Sequence, residues 1–260
     1  MAFSARIKKI YAYRAVLWEM SLKQLKGKYS GSMLGLWWAV IIPVILAFSI
    51  NFIFTQVFKA QAENYAFFIL AGMVPWAFFS GTLMGSAEAF FAQSSILKQG
   101  TFPREFVVIS AVLADFISFC TGFLFLYPVF IFLEPAVIHL LPAFFCLALL
   151  YLMFVAGLSL LCSVANVFFR DTAHFLSIAL MFWFWITPIF YSLETLGLPW
   201  RRLFFYNPLT YFILAFQSLL FKASLPSAAV SLTCLATGVF FLAAGYFVFL
   251  KFEPKLMKRI

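Results

Sequence analysis

The sequence predicts an all-α integral membrane protein with six transmembrane helices, an N-terminal amphipathic interface helix and a re-entrant helical hairpin on the outer side between helices 5 and 6. Hydrophobic residues form 65% of the 260 residues, charged residues form 10%, and the mean hydropathy is +1.03. A soluble globule of this size could not hide so much apolar surface, because its exterior must be largely polar. The same composition excludes disordered chains and disulfide-rich secreted scaffolds.

Six apolar runs are long enough, or nearly so, to cross a bilayer as helices, which takes roughly 20 residues. They divide the chain into a cytoplasmic interface segment (1–33), a transmembrane domain (34–251) and a basic cytoplasmic tail (252–260). The predicted spans are residues 34–58, 66–90, 106–132, 140–167, 175–191 and 228–250.

The charges predict the orientation of these spans. Eighteen Lys and Arg against nine Asp and Glu give a net charge of +9, and the basic residues are concentrated before the first apolar run and after the last one. Basic residues that flank membrane spans usually lie on the cytoplasmic side. Both termini are therefore expected in the cytoplasm, and nucleic acid is not an expected partner.

Residues 192–227 are predicted to dip into the outer leaflet and return. Asn207-Pro208 interrupts this apolar stretch, because proline lacks a backbone donor and disfavours helix at the residue before it. The remaining segment, 209–221, is too short to span a bilayer. A seventh crossing would also place the basic C-terminus outside.

The N-terminal segment has a different pattern. Between Ile7 and Leu25, apolar residues recur at intervals near three and four, with Arg and Lys between them. This predicts a basic amphipathic helix in the cytoplasmic interface. It serves either as an orientation anchor or as a contact with a partner subunit, and the pattern does not choose between the two.

Two short polar loops face the cytoplasm in this topology. Residues 93–105 combine two serines, a glycine and Pro103, which predicts a brief helix that is either a plain connection or an element transmitting displacement into both adjacent spans. Glu105 suits the positive start of the next helix. In the second loop, Asp171 is expected to cap the fifth span and to leave Arg170 for another loop, a lipid or a partner.

Inside the predicted spans, three features have two interpretations each. Asp115 either binds a cation or proton or, more simply, hydrogen-bonds a neighbouring helix. A four-residue repeat of small residues that includes Gly81 and Gly85 favours packing inside the chain over a dimer contact. Phe48 and Phe52 are ordinarily lipid-facing or packed rings, although aromatic faces beside polar groups also suit sugars.

The sequence contains no constellation typical of catalysis or of metal binding. Gly27-Lys28 is followed by Tyr29, so there is no P-loop for ATP, and metalloprotease and serine-hydrolase motifs are absent. The four cysteines lie in apolar runs without metal-ligand spacing. We therefore predict no enzyme activity in this chain, and any energy for work would come from another polypeptide.

Six segments, in order along nearly the whole chain, resemble the membrane subunit of type-2 ABC exporters, most closely the group that exports O-antigen, capsular polysaccharide or teichoic acid. The segments are LKGKYSGSMLGLWWAVIIP (25–43), ILAGMVPWAFF (69–79), ILKQGTFPRE (96–105), NVFFRD (166–171), TPIFY (187–191) and NPLTYFILAFQSLLF (207–221).

The resemblance implies a half-transporter in the bacterial inner membrane. Two copies of this chain would work with two copies of a separate P-loop ATPase, which would bind ATP and Mg, and the substrate would be a lipid-linked glycan. No cofactor is expected in this chain itself, whose remaining partners would be membrane lipids.

The resemblance also implies roles for particular residues. The ATPase-coupling residues would be Ile96, Leu97, Lys98, Phe102, Pro103, Arg104 and Glu105. The substrate path would run along the first and fifth spans, where we assign Phe48, Asn51, Phe52, Thr55, Ser177, Met181 and Trp185. The outer gate would include Tyr191, Asn207 and Pro208, and a cytoplasmic loop motif would include Arg170 and Asp171.

Two other functions stay open on the sequence. The same architecture could export a drug or a lipid instead of a glycan. An ion-coupled carrier would depend on Asp115 and normally has an inverted repeat with broken helices in both halves, whereas only one re-entrant stretch is predicted here.

Overall fold

The computed structural model describes residues 3–57, 64–94, 97, 102–256 and 259. These residues are largely helical and include no strand, as the composition predicts. The helices are α1 (Phe3–Ala12), α2 (Arg14–Tyr29), α3 (Trp38–Phe52), α4 (Tyr65–Ala92), α5 (Phe106–Leu133), α6 (Leu141–Phe168), α7 (Thr172–Trp185), α8 (Leu198–Phe204), α9 (Pro208–Leu220) and α10 (Ala228–Leu256). Short 3-10 helices lie at Gly35–Trp37, Pro135–Leu140 and Leu193–Thr195, and a π-helical turn lies at Ile53–Val57.

Five of the described helical segments are long and apolar enough to cross a membrane. They are Gly35–Gln56, Tyr65–Ala92, Phe106–Leu133, Pro135–Phe168 and Ala228–Leu256. They fall where the first four predicted spans and the last one were expected. The predicted end of the first span, at Phe58, lies outside the described residues.

The predicted fifth span differs from the structure. Helix α7 has 14 residues, or about 21 Å of helix, against roughly 30 Å of hydrocarbon in a bilayer. It ends at Trp185, because Pro188 disfavours helix at the residue before it. Residues 186–191 form no helix, so the prediction of a helix continuing to Tyr191 is wrong in its last six residues.

The short helix predicted after Asn207-Pro208 is confirmed as α9. Its side chains Phe212 and Phe216 are fully buried. Tyr151 of α6 packs on both rings, with centroid distances of 5.0 and 5.5 Å, and Phe119 of α5 lies 5.9 Å from Phe216. Helix α9 is therefore part of the core of the bundle, and Phe119 and Phe123 of α5 pack against it.

Helices α6 and α10 approach each other backbone to backbone. A Cβ atom on Gly245 would lie 2.1 Å from the carbonyl oxygen of Gly157, and one on Gly157 would lie 2.2 Å from the backbone of Phe241. A Cβ on Gly238 would lie 2.8 Å from the carbonyl oxygen of Leu150. Because small residues let membrane helices pack at short range, these glycines join α6 and α10 closely.

The N-terminal segment forms two helices, with a break at Tyr13, where a single amphipathic helix is predicted. Helix α2 lies along α5: the Gln24 amide donates to the Ser110 hydroxyl, and Lys28 Nζ lies 2.8 Å from Asp115 Oδ1. Burial lowers the pKa of Lys28, but the attraction and hydrogen bond of Asp115 outweigh it and raise this pKa above its ordinary value. The expected bond from Asp115 to a neighbouring helix is confirmed, although its partner is charged.

Candidate functional site

An open groove runs along one face of α4. Its floor carries Ala77 and Gly81, which are exposed, and its volume is about 680 Å³. We name it the α4 groove. Its walls are formed by α3, with Ile42, Leu46 and Ile50, and by α7, with Ser177, Met181 and Trp185.

The groove continues toward α2. A second recess of about 560 Å³ lies between α2, α4 and α5, and Gly81 borders both. This recess is more polar, because Lys23, Lys28 and Asp115 line it. The described residues thus form an elongated surface with a charged mouth and an apolar, aromatic middle.

The structure divides the predicted path residues into two sets. Ser177, Met181 and Trp185 line the α4 groove together. The predicted path residues of the first span do not line the groove: Phe48, Asn51, Phe52 and Thr55. They lie on other faces of the segment than the groove residues Ile42, Leu46 and Ile50.

The aromatic residues of the first-span set are exposed elsewhere. Phe48 is 48% exposed and meets the edge of Phe67, with ring centroids 6.3 Å apart, while Phe52 is 64% exposed. The Thr55 hydroxyl donates to the Asn51 carbonyl oxygen at 2.8 Å. Periodicity shows that Phe48 and Phe52 share a face, but it does not say which neighbour that face meets.

The small-residue repeat of α4 was misinterpreted from the sequence. A Cβ atom on Gly81 or Gly85 would meet nothing within 4 Å, so packing inside the chain is the wrong explanation for these two glycines. They form an open floor instead. Sequence reasoning also missed other groove residues, among them Ile42, Leu46 and Trp76, which are ordinary apolar residues without a signal of their own.

A buried charge cluster lies at the end of the bundle where α1, the residues before α5 and the last turns of α10 meet. We name this end of the bundle the basic end. Arg6 donates to both carboxylate oxygens of Glu105, at 2.9 and 2.7 Å, and to Glu253 at 2.6 Å. The Tyr246 hydroxyl donates to Glu105 at 3.4 Å. Burial lowers the pKa of Arg6, but the bonds to both glutamates outweigh it and raise the pKa above its ordinary value.

The predicted coupling residues lie at the basic end, so far as the structure describes them. Leu97 and Pro103 are buried, Phe102 and Arg104 are half-buried, and the Phe102 ring lies 6.3 Å from that of Phe106. Ile96 and Lys98 lie outside the described residues. Glu105 makes no capping bond to the start of α5, because its carboxylate bonds to Arg6 instead.

The loop between α6 and α7 is also at the basic end. The Arg170 guanidinium lies 4.8 Å from the centroid of the Phe91 ring, a cation–π contact with α4. Asp171 is the N-cap residue of α7, as predicted, but its side chain does not take the capping role. Asn166 takes this role, accepting from the Ala173 amide at 3.3 Å and donating to the Ala87 carbonyl at 2.9 Å.

At the opposite end, Asn207 joins α7 to α9. Its side-chain oxygen accepts from the Leu209 amide at 3.0 Å, as an N-cap of α9, and from Trp183 Nε1 at 2.9 Å. Its amide nitrogen donates to the Thr187 hydroxyl at 3.0 Å. Tyr191 donates through its hydroxyl to the backbone of α7, at the Trp185 carbonyl, at 2.9 Å, and Pro208 is the first residue of α9.

Replacing Asn207 by alanine should therefore lower stability by about 2 kcal/mol or more, because it removes a helix cap and leaves partly buried polar partners unbonded. Asn207→Ser keeps a capping oxygen and should lose about half as much. The thermal midpoints of the three purified proteins in detergent measure this order. Equal midpoints for the wild type and Asn207→Ala would show that these bonds do not hold α7 to α9.

The described residues form a helical bundle with several apolar helices of membrane-spanning length, which is the architecture of a multi-pass membrane protein. The sequence profile of the ABC-2 type transporter family matches residues 15–221. The chain therefore belongs to this family, whose members are permease components of transporters and not catalytic enzymes.

Three relatives share most of the chain. Two proteins of Klebsiella pneumoniae are 31% and 30% identical to it over 237 residues, which cover 89% of each chain. One protein of Myxococcus xanthus is 28% identical over 245 residues, which cover 94% of each chain. All three are named O-antigen export system permease protein RfbA.

Proposed function

We propose that this chain is the transmembrane subunit of an ATP-driven exporter that moves a lipid-linked polysaccharide of the O-antigen, capsule or teichoic acid type across the bacterial inner membrane. The observation that carries this proposal is the α4 groove, an elongated surface with a charged mouth and an aromatic middle. The similarity to permeases named for O-antigen export supports the same substrate class.

The lining of the groove suits a glycan. Trp185, which is 60% exposed, offers a ring surface on which the apolar C–H faces of sugars pack, while Ser80 and Ser177 offer hydroxyl oxygens to the polar rims of sugars. An ion-coupled carrier would depend on Asp115, whose carboxylate is instead paired with Lys28.

A second copy of the chain would complete the path. The floor of the groove at Gly81, and the adjoining recess at Gly85, are uncovered by the described residues of this chain. Two copies facing each other would close their grooves into one conduit. Two ATPase subunits, which bind ATP and Mg, would then supply the energy at the basic end, through segment 93–105.

We place both termini, and with them the basic end, in the cytoplasm. The clustering of lysines and arginines in the terminal segments supports this orientation. Helix α7, extended by residues 186–191, would form the sixth crossing, and residues 192–227 would re-enter from the outer side. The burial of α9 supports the re-entry, since non-helical backbone at membrane depth must be enclosed by protein.

Phe102→Ala and Arg104→Ala should each lower export about tenfold, equivalent to about 1.4 kcal/mol, because both residues belong to the segment that would seat on the ATPase. A strain lacking the gene is complemented with each variant. Surface glycan is measured on carbohydrate-stained gels, the permease is quantified by immunoblot of membranes, and its co-purification with the ATPase is tested. The matched control is Phe240→Ala, an exposed phenylalanine of α10, which should keep wild-type export.

The outcomes separate the parts of the proposal. Normal surface glycan in the deletion strain would exclude glycan export as the function, and a loss of drug resistance there would favour a drug exporter. If the wild type exports and Phe102→Ala and Arg104→Ala export equally well, only the assignment of segment 93–105 to coupling would be rejected.

A further inference from the structure

The charge cluster at the basic end joins three segments that are far apart in the sequence. Arg6 lies 99 residues from Glu105 and 247 residues from Glu253. Its guanidinium uses Nε and one terminal nitrogen for the first carboxylate and the other terminal nitrogen for the second. A planar fork of donors is the geometry that can hold two carboxylates at once.

The cluster is sheltered from solvent. The Glu105 side chain is fully buried, the Arg6 side chain is 18% exposed and the Glu253 side chain is 21% exposed. Two carboxylates that share one cation at such a site would repel each other without it. The position of Glu253 relative to Glu105 therefore depends on Arg6.

An apolar cluster at the same end contains residues of the same helices. Leu97 of segment 93–105, which we call the coupling segment, and Val107 of α5 belong to this cluster. Phe249 and Leu256 of α10 belong to it as well. The ring of Phe249 stacks on that of Phe90 of α4, with centroids 6.2 Å apart. The coupling segment and the end of α10 thus share an apolar contact and an ionic one.

Helix α10 extends this contact into the membrane. Its glycines bring it into backbone contact with α6, so that a displacement of its charged end would move both helices. Through the polypeptide chain, Glu105 is connected directly only to α5, which begins at the next residue. The bond from Glu105 through Arg6 to Glu253 supplies a second connection, which leads into α10 and α6.

We propose that Arg6 is a positioning residue that joins the coupling segment to α10 through Glu105 and Glu253, and that ATP-driven export requires this joint. The inference rests on the function proposed above and extends it to residues outside segment 93–105. The joint transmits displacement, and the guanidinium neither reacts nor contacts substrate in this role.

Glu253→Ala tests the joint with little disturbance of the fold, because it leaves the bonds between Arg6 and buried Glu105 in place. Export per permease should fall about tenfold while the purified complex with its ATPase continues to hydrolyse ATP in proteoliposomes. Arg6→Lys should keep the wild-type thermal midpoint, since an ammonium still neutralises Glu105, but it should lower export similarly, because it lacks the fork. Glu19→Ala, which removes an exposed carboxylate from α2, should keep wild-type export.

The inference would be overturned if Glu253→Ala and Arg6→Lys exported as much glycan per ATP hydrolysed as the wild type does. A loss of export that only follows a loss of folded permease would also overturn it, because that result assigns the cluster a purely structural role. If the wild-type complex itself delivers no glycan to the cell surface, the proposed function fails and the inference fails with it. If the wild type exports and Glu253→Ala exports equally, the inference alone fails.

Discussion

Replacing Gly245 by alanine should remove most folded protein from the membrane. The new Cβ atom would lie 2.1 Å from the carbonyl oxygen of Gly157 and 2.8 Å from its carbonyl carbon. Both are backbone atoms, so no side chain can rotate away and the two helices would have to separate. Overpacking of a core typically costs about 1–3 kcal/mol, and occasionally more, and backbone contacts along a helix pair put this site at the upper end. The measurement is the yield of monodisperse protein on size-exclusion chromatography and its thermal midpoint.

The matched control is Gly85→Ala on α4. An alanine there would meet nothing within 4 Å, and the helix should gain up to about 1 kcal/mol from the better propensity of alanine. Its yield and midpoint should equal or exceed those of the wild type. A Gly245→Ala protein with the wild-type midpoint would show that α6 and α10 are not in backbone contact.

The glycines show how far the sequence predicts the packing. The GxxxG pattern of Gly81 and Gly85 is a recognised signal for close helix approach, yet a Cβ on either glycine would meet nothing within 4 Å. The glycines that do bring helices together, Gly157 of α6 and Gly245 of α10, stand in two separate segments. Their pairing depends on how α6 and α10 are rotated and aligned, which one sequence does not encode locally.

The other predictions follow the same division between local and non-local information. Hydropathy predicted the first four spans and the last one, and Asn207-Pro208 predicted the start of α9. Each of these signals lies within one continuous stretch of the sequence. The ion pairs of Asp115 with Lys28 and of Glu105 with Arg6 join residues 87 and 99 positions apart, so neither partner was identified. The face of α3 that lines the groove is set by α4 and α7, so the resemblance that assigned Phe48 to the path could not place it relative to the groove.

Replacing Gly81 by leucine should abolish most export without unfolding the protein. Gly81 borders both the α4 groove and the recess toward α2, and a Cβ there meets no atom within 4 Å. The added side chain would therefore project from the floor into the path that we propose for the glycan. Leucine is a good helix former, so α4 should be at least as stable as before. We expect surface glycan to fall at least about tenfold, or about 1.4 kcal/mol in the barrier, with unchanged amounts of permease in the membrane.

The matched control adds the same bulk to an exposed face outside the groove. Ala236 of α10 is exposed and does not line the groove or the recess, so Ala236→Leu should export at the wild-type level. Both variants are assayed in the complemented deletion strain by carbohydrate-stained gels and immunoblot, and ATP hydrolysis is measured on the purified complexes. Continued hydrolysis with blocked export in Gly81→Leu would place the obstruction in the substrate path and not in the coupling to ATP. Wild-type export by Gly81→Leu would mean that the glycan does not pass along α4, because a path bounded by this glycine could not accept four more carbon atoms on its floor and remain open to a sugar chain.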